Sequence, residues 1–341
     1  MADGAPCPAT PALALVDGFG RVIDTLRVSV TDRCDFRCLY CMSEPVTFVP
    51  KAEVLRLEEI ERLCRAFVDL GVRRLRLTGG EPLLRPGVMT LVRGLGALVA
   101  EGRLGELTLT TNASRLEGFA AELAGCGVRR INVSLDTLDP ERFRALTRHG
   151  DLGRVLAGIA AARAAGIAVK LNCVALRGVN EDEFDRLIGW CGERGCDLTL
   201  IELMPLGDPD RRLPSDCFLS LAAVHRRLER AWTLEPLAAR SGGPARYFRI
   251  HETGGRLGLI TPISGGFCDG CNRVRLTATG RLYPCLGRER SADLRTPLRT
   301  IPPESNAALH AVLRQAVAAK PEGHGFAADT SPARPMSATG G

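Results

Sequence analysis

The sequence predicts an α/β protein built on a partial (βα)6 TIM-like barrel, with a smaller domain towards the C-terminal end. Six short strand-like runs alternate with amphipathic helical stretches between residues 25 and 203. A glycine precedes most of these strands, where a left-handed residue would end the previous helix. Repeated βα units with short connections build a parallel sheet, and six of them form part of an eight-stranded barrel.

The strands are expected at residues 25–30, 72–77, 107–111, 128–135, 167–175 and 197–203. Between them, helices are expected at 57–70, 87–100, 116–125 and 181–193, and helical pieces from 140 to 165. From about Pro236 short strands and glycine-rich turns replace this alternation, and a last helix is expected at about 303–319. We therefore divide the chain into an N-terminal arm (1–20), a barrel (21–235), a C-terminal domain (236–319) and a tail (320–341).

The composition excludes several classes of protein. The 341 residues are 45% hydrophobic and 25% charged, as in a globular protein, and no apolar run approaches the roughly 18 residues that span a bilayer. The net charge of +6 does not by itself call for a nucleic-acid partner. The apolar stretch 13–16 has no basic residue before it, unlike a secretory signal. We expect a cytoplasmic protein that binds neither membrane nor nucleic acid.

The thirteen cysteines are the most unusual feature of the composition. In a long chain expected in the cytoplasm, an odd number favours metal ligation or catalysis over a disulfide framework. Six of them form two groups, which we name the first trio (Cys34, Cys38 and Cys41, spaced C-x3-C-x2-C) and the second trio (Cys268, Cys271 and Cys285, spaced C-x2-C-x13-C). Isolated cysteines such as Cys64, which lies among apolar residues at helical spacing, are expected to be small core residues.

Polar or cysteine-bearing segments follow the predicted strands. The first trio follows strand one, and Thr78-Gly79-Gly80-Glu81-Pro82 ends strand two. The carboxyl ends of parallel barrel strands face one mouth, where binding residues gather. Three thiolates suit iron–sulfur or zinc, but structural zinc takes four ligands, and no His or fourth Cys lies near the first trio. A 4Fe–4S cluster held by three cysteines leaves one iron open to a small ligand.

The first trio, with Tyr40 before its last cysteine, and the Gly79-Gly80-Glu81-Pro82 segment together resemble the radical S-adenosylmethionine (SAM) superfamily. The resemblance implies that Cys34, Cys38 and Cys41 hold a 4Fe–4S cluster whose open iron is chelated by SAM. It also implies a SAM site lined by Tyr40, Gly80, Ser134 and Met204. A glycine at position 80 would let backbone approach the SAM amino group, because a Cβ would block it.

A second motif narrows the resemblance. The run from Phe267 to Thr277, followed by Cys285, is similar to the C-terminal motif of the GTP 3′,8-cyclase family, lyases that begin molybdenum cofactor biosynthesis. The likeness extends from about Arg21 to the final Gly340-Gly341. Three positions depart from the family pattern: Ser43 replaces Pro, Ala113 replaces Gly, and Thr339 replaces Ile. Alanine at position 113 would be strained in a left-handed turn.

The family resemblance implies a second 4Fe–4S cluster on Cys268, Cys271 and Cys285, with its open iron facing guanine. It implies that a radical from SAM removes the 3′ hydrogen of GTP, and that C3′ then joins guanine C8 to give (8S)-3′,8-cyclo-7,8-dihydroguanosine 5′-triphosphate. The positions that match GTP ligands of the family are Arg27, Arg76, Thr110, Lys170, Arg273, Val274 and Arg275. Arginine suits this role because its guanidinium group binds phosphate in a two-pronged way.

The same resemblance implies catalytic roles for Cys34, Cys38, Cys41, Arg273, Arg275, Gly340 and Gly341, with the tail inserted into the active site. Implied partners are GTP, a second copy in a homodimer, an electron donor such as flavodoxin or ferredoxin, and a downstream cyclic pyranopterin monophosphate synthase. Two other functions stay open: a radical SAM peptide maturase with an auxiliary cluster, and a zinc-binding protein that binds nucleic acid. About eight irons per chain would fit two clusters, whereas the last alternative predicts about two zinc ions.

Overall fold

Six parallel strands follow one another across the sheet in chain order in the computed structural model, which describes residues 14–42, 46–207, 213, 216–238, 243–302, 304–326, 332 and 334–340. The strands are β1 (Thr25–Ser29), β2 (Arg74–Thr78), β3 (Glu106–Thr111), β4 (Arg130–Ser134), β5 (Ala168–Ala175) and β6 (Asp197–Glu202). The helices between them are α1 (Leu57–Asp69), α2 (Val88–Ala100), α3 (Ala120–Gly125), α4 (Pro140–Thr147), α5 (Leu152–Ala164) and α6 (Phe184–Glu193). The predicted α/β class and the repeated βα units are confirmed.

Local chemistry explains where several helices begin. The Asp139 carboxylate accepts the Arg142 N–H at 2.8 Å, and Pro140 occupies the first turn of α4. The Asp151 carboxylate caps α5 in the same way by accepting the Arg154 N–H. The helical pieces expected from 140 to 165 are therefore two helices, the second of which begins after Asp151.

The C-terminal part of the chain extends the same sheet at both edges. Its strands are β7 (Leu234–Leu237), β8 (Arg246–Ile250), β9 (Arg256–Ile260), β10 (Arg273–Leu276), β11 (Arg281–Tyr283) and β12 (Ala292–Asp293). β9 pairs in parallel with β6 and β10 pairs in parallel with β1, so the strand order is β12-β11-β10-β1-β2-β3-β4-β5-β6-β9-β8-β7. The predicted boundary at residues 235/236 falls within β7, and the division into domains stays a prediction.

The remaining helices are α7 (Leu221–Leu228), α8 (Arg295–Thr300), α9 (Asn306–Ala318) and α10 (Met336–Thr339). Of these, the sequence predicts only α9. Among the described residues, no helix combines the length and apolarity needed to cross a bilayer.

The two faces of the central strands differ in polarity. On β1 the side chains of Leu26 and Val28 are fully buried in the hydrophobic core between sheet and helices. The side chain of Arg27 alternates with them and faces the barrel interior, where it lies beside Arg76 of β2 in register. The interior is therefore lined by polar side chains around a cavity of about 250 Å³.

Candidate active site

The loop that carries the first trio packs on the glycines that follow β2. The Gly80 N–H donates to the Thr31 carbonyl at 2.7 Å, and the Glu81 N–H donates to the Arg33 carbonyl at 2.8 Å. A Cβ on Gly80 would lie 2.5 Å from the Arg33 carbonyl carbon. Glycine is therefore required at position 80 by the backbone next to Cys34, a reason additional to the expected approach of SAM.

The Glu81 carboxylate joins the carboxyl ends of β2 and β3. It accepts the Leu83 N–H at 3.0 Å, the Asn112 N–H at 2.7 Å and the Thr111 hydroxyl at 2.8 Å. Burial raises its pKa to about 7, although these hydrogen bonds favour the ionised form. The acidic residue of the Gly-Gly-Glu-Pro segment thus acts as a clamp beneath the cysteine loop.

Next to this clamp, Ala113 adopts a left-handed conformation with a φ of 64°. The sequence departs from the family glycine at this position, and the strain expected from that departure is present. The hydroxyl of Thr111 accepts the Ala113 N–H at 3.0 Å and supports the turn.

The three thiols of the first trio lie in one half-buried loop. Burial raises the pKa of each thiol, and negative charge on Cys41 raises those of Cys34 and Cys38 further. The Asn112 side-chain N–H lies 3.7 Å from the Cys34 sulfur. Thiolates in this loop therefore need a cationic partner. Across the described ranges, no three His, Cys, Asp or Glu side chains already converge as a metal site.

Tyr40 is held at the cavity wall by a buried carboxylate. Its hydroxyl donates to Asp136 at 2.6 Å, and the other carboxylate oxygen accepts the Val174 N–H at 2.8 Å. Burial raises the pKa of Asp136 to about 6. Ser134 and Met204 line the same cavity as Tyr40. Three of the four residues predicted to line a SAM site thus border one cavity, while Gly80 lies under the cysteine loop.

The second trio lines the same cavity from the opposite end of the strands. Cys271 precedes β10 and Cys285 follows β11, and these two strands are antiparallel, so both cysteines lie at the same end. β10 runs parallel to β1 with Arg273 beside Thr25. The second trio therefore lies near the start of β1, whereas the first trio follows its end. At about 3.3 Å per residue, a five-residue strand separates the two ends by roughly 16 Å.

Two kinds of cationic side chain line the cavity between the trios. Arg74 forms an ion pair with Asp24 at 2.5 Å, and Arg130 forms one with Glu106 at 2.8 Å. Four others form no ion pair with any residue that the structure describes, and we name these four the unpaired cations: Arg27, Arg76, Lys170 and Arg275. Arg273 also faces the cavity, beside the second trio.

The unpaired cations repel one another. Burial and then the charges of neighbouring arginines lower the pKa of Arg275 to about 9 and that of Arg76 to about 10. The same two causes lower the pKa of Lys170 to about 7 and hold that of Arg27 below its usual range. The Nε atoms of Arg27 and Arg76 and the Thr110 hydroxyl lack hydrogen-bond partners among the described residues. An anion bound here would relieve the repulsion and satisfy these groups.

The tail enters the mouth of this cavity. Thr339 is 1% exposed, and the Gly340 carbonyl accepts a hydrogen bond from the Arg275 guanidinium. Gly340 has a φ of 77°, and a Cβ there would overlap the Thr78 hydroxyl oxygen and lie 2.8 Å from the Thr78 Cβ. The backbone of Ser337 also lies near Cys41 and lowers the pKa of its thiol, although burial, which raises that pKa, outweighs this effect. The tail thus lies beside the first trio and binds an unpaired cation. Gly341 lies outside the described residues.

One predicted residue points its side chain into the core, and two residues that were not predicted line the cavity. Val274 is 1% exposed and packs in the core, so only its main chain is available to a ligand. Tyr247, which the sequence did not indicate, lines the cavity with its hydroxyl 3.2 Å from Lys170 Nζ. Lys320 also lines the cavity, although it begins the segment predicted as a tail. The one feature of the sequence that could have drawn attention to Lys320 is the rarity of lysine, which occurs only at Lys51, Lys170 and Lys320 in this arginine-rich chain.

Comparisons with known proteins cover nearly the whole chain. The model of the Radical SAM superfamily matches residues 28–191, and that of Molybdenum Cofactor Synthesis C matches residues 196–326. The GTP 3′,8-cyclase of Caulobacter vibrioides is 58% identical over 337 residues, which cover 98% of this chain and 96% of the relative. That of Rhodopseudomonas palustris is 56% identical over 340 residues, which cover 98% of both. The chain belongs to the GTP 3′,8-cyclase family. Its radical SAM membership implies a 4Fe–4S cluster and SAM.

Solved structures share the fold of this member of the GTP 3′,8-cyclase family. Streptococcus suis SuiB bound to S-adenosylmethionine has a TM-score of 0.62 at 15% identity, covering 84% of this chain and 66% of SuiB. SuiB bound to its precursor peptide SuiA has a TM-score of 0.51 at 20% identity, covering 61% of this chain and 45% of that one. At such identities the likeness shows the fold alone. The GTP 3′,8-cyclase relatives, in contrast, match nearly the whole chain.

Proposed function

We propose that this chain is a GTP 3′,8-cyclase, which converts GTP to (8S)-3′,8-cyclo-7,8-dihydroguanosine 5′-triphosphate in the first step of molybdenum cofactor biosynthesis. The observation that carries the proposal is the set of unpaired cations between the two trios. Buried like charges are costly without a counter-charge. A nucleoside triphosphate supplies that charge, and arginine binds its phosphates in a two-pronged way.

The donor chemistry of both trios fits iron–sulfur clusters. Each trio offers three thiols, which are soft ligands suited to iron–sulfur sites. Burial alone would raise the pKa of the Cys271 thiol, but the positive charges of Arg273 and Lys320 lower that pKa to about 7. A thiol that ionises near neutral pH is a competent metal ligand. We assign one 4Fe–4S cluster to Cys34, Cys38 and Cys41 and a second to Cys268, Cys271 and Cys285.

The residues around the cavity divide the remaining work. When bound, SAM and its cluster would supply the radical chemistry needed at the 3′ position of the GTP ribose. Tyr40, Ser134 and Met204 hold SAM, and the unpaired cations with Thr110 and Arg273 hold GTP. The docked tail covers the mouth through Gly340, which keeps water from the reacting atoms.

The reaction also requires partners. Each turnover consumes electrons, so we propose an electron carrier of the flavodoxin or ferredoxin class as donor. We further propose a homodimer in the cytoplasm, with a cyclic pyranopterin monophosphate synthase consuming the product. These proposals rest on family membership, and the cavity itself supports only the nucleotide.

Anaerobic turnover tests the proposed reaction. The protein, reconstituted with iron and sulfide, is incubated with SAM, dithionite and either GTP or a peptide, and products are measured by mass spectrometry. We expect GTP alone to accelerate 5′-deoxyadenosine release and to yield an isomer of GTP. Acceleration by the peptide and not by GTP would refute the proposal and favour the maturase.

A matched pair of variants tests the site. Arg275→Gln removes an unpaired cation, and the exposed Arg230→Gln is its control. A hydrogen bond to a charged group contributes about 1.5–3 kcal/mol, so we expect the KM for GTP to rise roughly 10- to 100-fold in the first variant only. Equal KM values in both variants would remove Arg275 from the nucleotide site.

A further inference from the structure

Lys320 is a buried cation that binds both segments of the second trio. Lys320 lies two residues after the end of α9 and is 3% exposed. Its ammonium group donates to the Pro284 carbonyl at 2.6 Å and to the Arg273 carbonyl at 2.9 Å. The first of these carbonyls directly precedes Cys285, and the second lies two residues after Cys271. One side chain thus joins the segment before Cys285 to the segment after Cys271.

Two other cations bind the backbone of the same trio. Arg21 donates to the Cys268 carbonyl at 2.8 Å, and Arg334 donates to the Cys285 carbonyl at 3.5 Å. Together with Lys320, they come from three separate parts of the chain. Each cysteine segment of the second trio is therefore bound by its own cation.

Charge compensation distinguishes Lys320 from the two arginines. Arg21 forms an ion pair with Asp17 at 2.6 Å, and Arg334 forms one with Glu289 at 2.9 Å. Lys320 has no such carboxylate partner among the residues that the structure describes. An isolated buried ammonium ion is strongly unfavourable, and carbonyl dipoles offset only part of that cost. The anionic groups within its reach are the sulfurs of the second trio once they ionise.

We propose that Lys320 is the charge-compensating and positioning residue of the second trio. Its positive charge offsets the negative charge that three thiolates bring to an iron–sulfur cluster, and its two carbonyl contacts hold the Cys271 and Cys285 segments at the spacing the cluster needs. The inference rests on the second cluster of the proposed function. Because reduction adds negative charge to a cluster, Lys320 also makes that cluster easier to reduce.

The test compares three variants with the wild type. Lys320→Met removes the charge and the donor, Lys320→Arg keeps both, and Lys51→Met makes the same chemical change at an exposed lysine. Each protein is reconstituted anaerobically with iron and sulfide, its iron and sulfide are counted per chain, and its clusters are titrated by electron paramagnetic resonance. We expect about eight irons in wild type, K320R and K51M, and about four in K320M.

Two further measurements show whether the effect of K320M is confined to the second trio. The first trio is intact in K320M, so its dithionite-driven cleavage of SAM without GTP should match the wild type. A K320M protein that keeps about eight irons but has one cluster harder to reduce also supports the proposal. Where K320M does not fold, Lys320→Gln, which keeps a donor but no charge, takes its place.

Three results would overturn the inference. If K320M has the wild-type iron count and the wild-type reduction titration, Lys320 affects neither the assembly nor the reduction of the cluster. Loss of both clusters shows a defect of the whole fold. Only about four irons in the wild type itself removes the second cluster, and that result counts against this part of the proposed function whatever the variants do.

Discussion

Replacing Gly340 by alanine tests whether the tail must dock in the cavity. The left-handed φ of 77° costs an L-residue roughly 1–2 kcal/mol. The added Cβ would also overlap the Thr78 hydroxyl, and overpacking of this kind costs typically about 1–3 kcal/mol. The tail is a short terminal segment, so we expect it to leave its site and relieve the strain while the rest of the fold stays intact.

The expected magnitude follows from these two costs. Their sum, about 2–5 kcal/mol, overlaps and at its midpoint exceeds the about 1.5–3 kcal/mol that the hydrogen bond from Arg275 to Gly340 contributes. At the midpoints of the two ranges the undocked tail is favoured by about 1.3 kcal/mol, which leaves roughly a tenth of the tails docked. We therefore expect the kcat for cyclisation to fall roughly tenfold, with iron content and SAM binding unchanged.

The assay measures cyclised nucleotide, iron per chain and Tm for G340A beside Gly102→Ala. Gly102 has a similar φ of 71° with nothing within 4 Å of an added Cβ, so its substitution introduces backbone strain alone. G102A should lose a little stability and no activity. Deletion of Gly340 and Gly341 should leave both clusters and SAM binding intact while cyclisation falls. A wild-type rate in G340A and in the truncated protein would refute the reasoning.

Four more predictions concern the cavity. The pKa of Lys170 is about 7, so binding of an anion should raise this pKa and take up a proton. The affinity for GTP, measured by calorimetry in two buffers, should therefore fall by up to about tenfold for each pH unit above 7. The K170R variant should lack this pH dependence. The same lowered pKa makes the unfolded state bind more protons between pH 7 and 10, so the ligand-free wild type should gain stability over that range, and K170R should gain less. Arg76→Met should raise the Tm of the ligand-free protein by about 2 °C and weaken GTP binding, since it removes a half-buried unpaired charge that neighbouring arginines repel; a lower Tm would contradict this. Asp136→Ala leaves the Tyr40 hydroxyl without its partner and should weaken SAM binding about tenfold by equilibrium dialysis, with second-trio iron unchanged; equal affinity would remove that role.

The local patterns of the sequence predicted the six βα units and the loops at their ends. Periodicity and flanking glycines are properties of neighbouring residues, so the positions of β1 to β6 followed from them. The pairing of β10 with β1 did not, because it joins segments about 250 residues apart and no local pattern encodes it. The placement of residues 236–319 at both edges of the sheet was therefore missed.

The candidate site likewise has a part that the sequence predicted and a part that it did not. The trios and the cations of the motifs were predictable from spacing and resemblance. The burial of Lys320, the Asp136 contact to Tyr40 and the overlap of Gly340 with Thr78 depend on tertiary contacts between distant segments. The family resemblance implied that the tail enters the active site, and the docked conformation adds the reason for its glycine, because a Cβ at position 340 would overlap Thr78 at the end of β2.

The flanking positions of β9 and β10 affect how the enzyme is made. During synthesis the ribosome releases β1 through β6 long before either flanking strand exists, so the nascent sheet has two open edges. Open edges invite pairing with other chains, and contacts of such long sequence separation form slowly. We expect the newborn protein to depend on chaperones until its last third emerges, and its metal centres to be loaded only after translation ends.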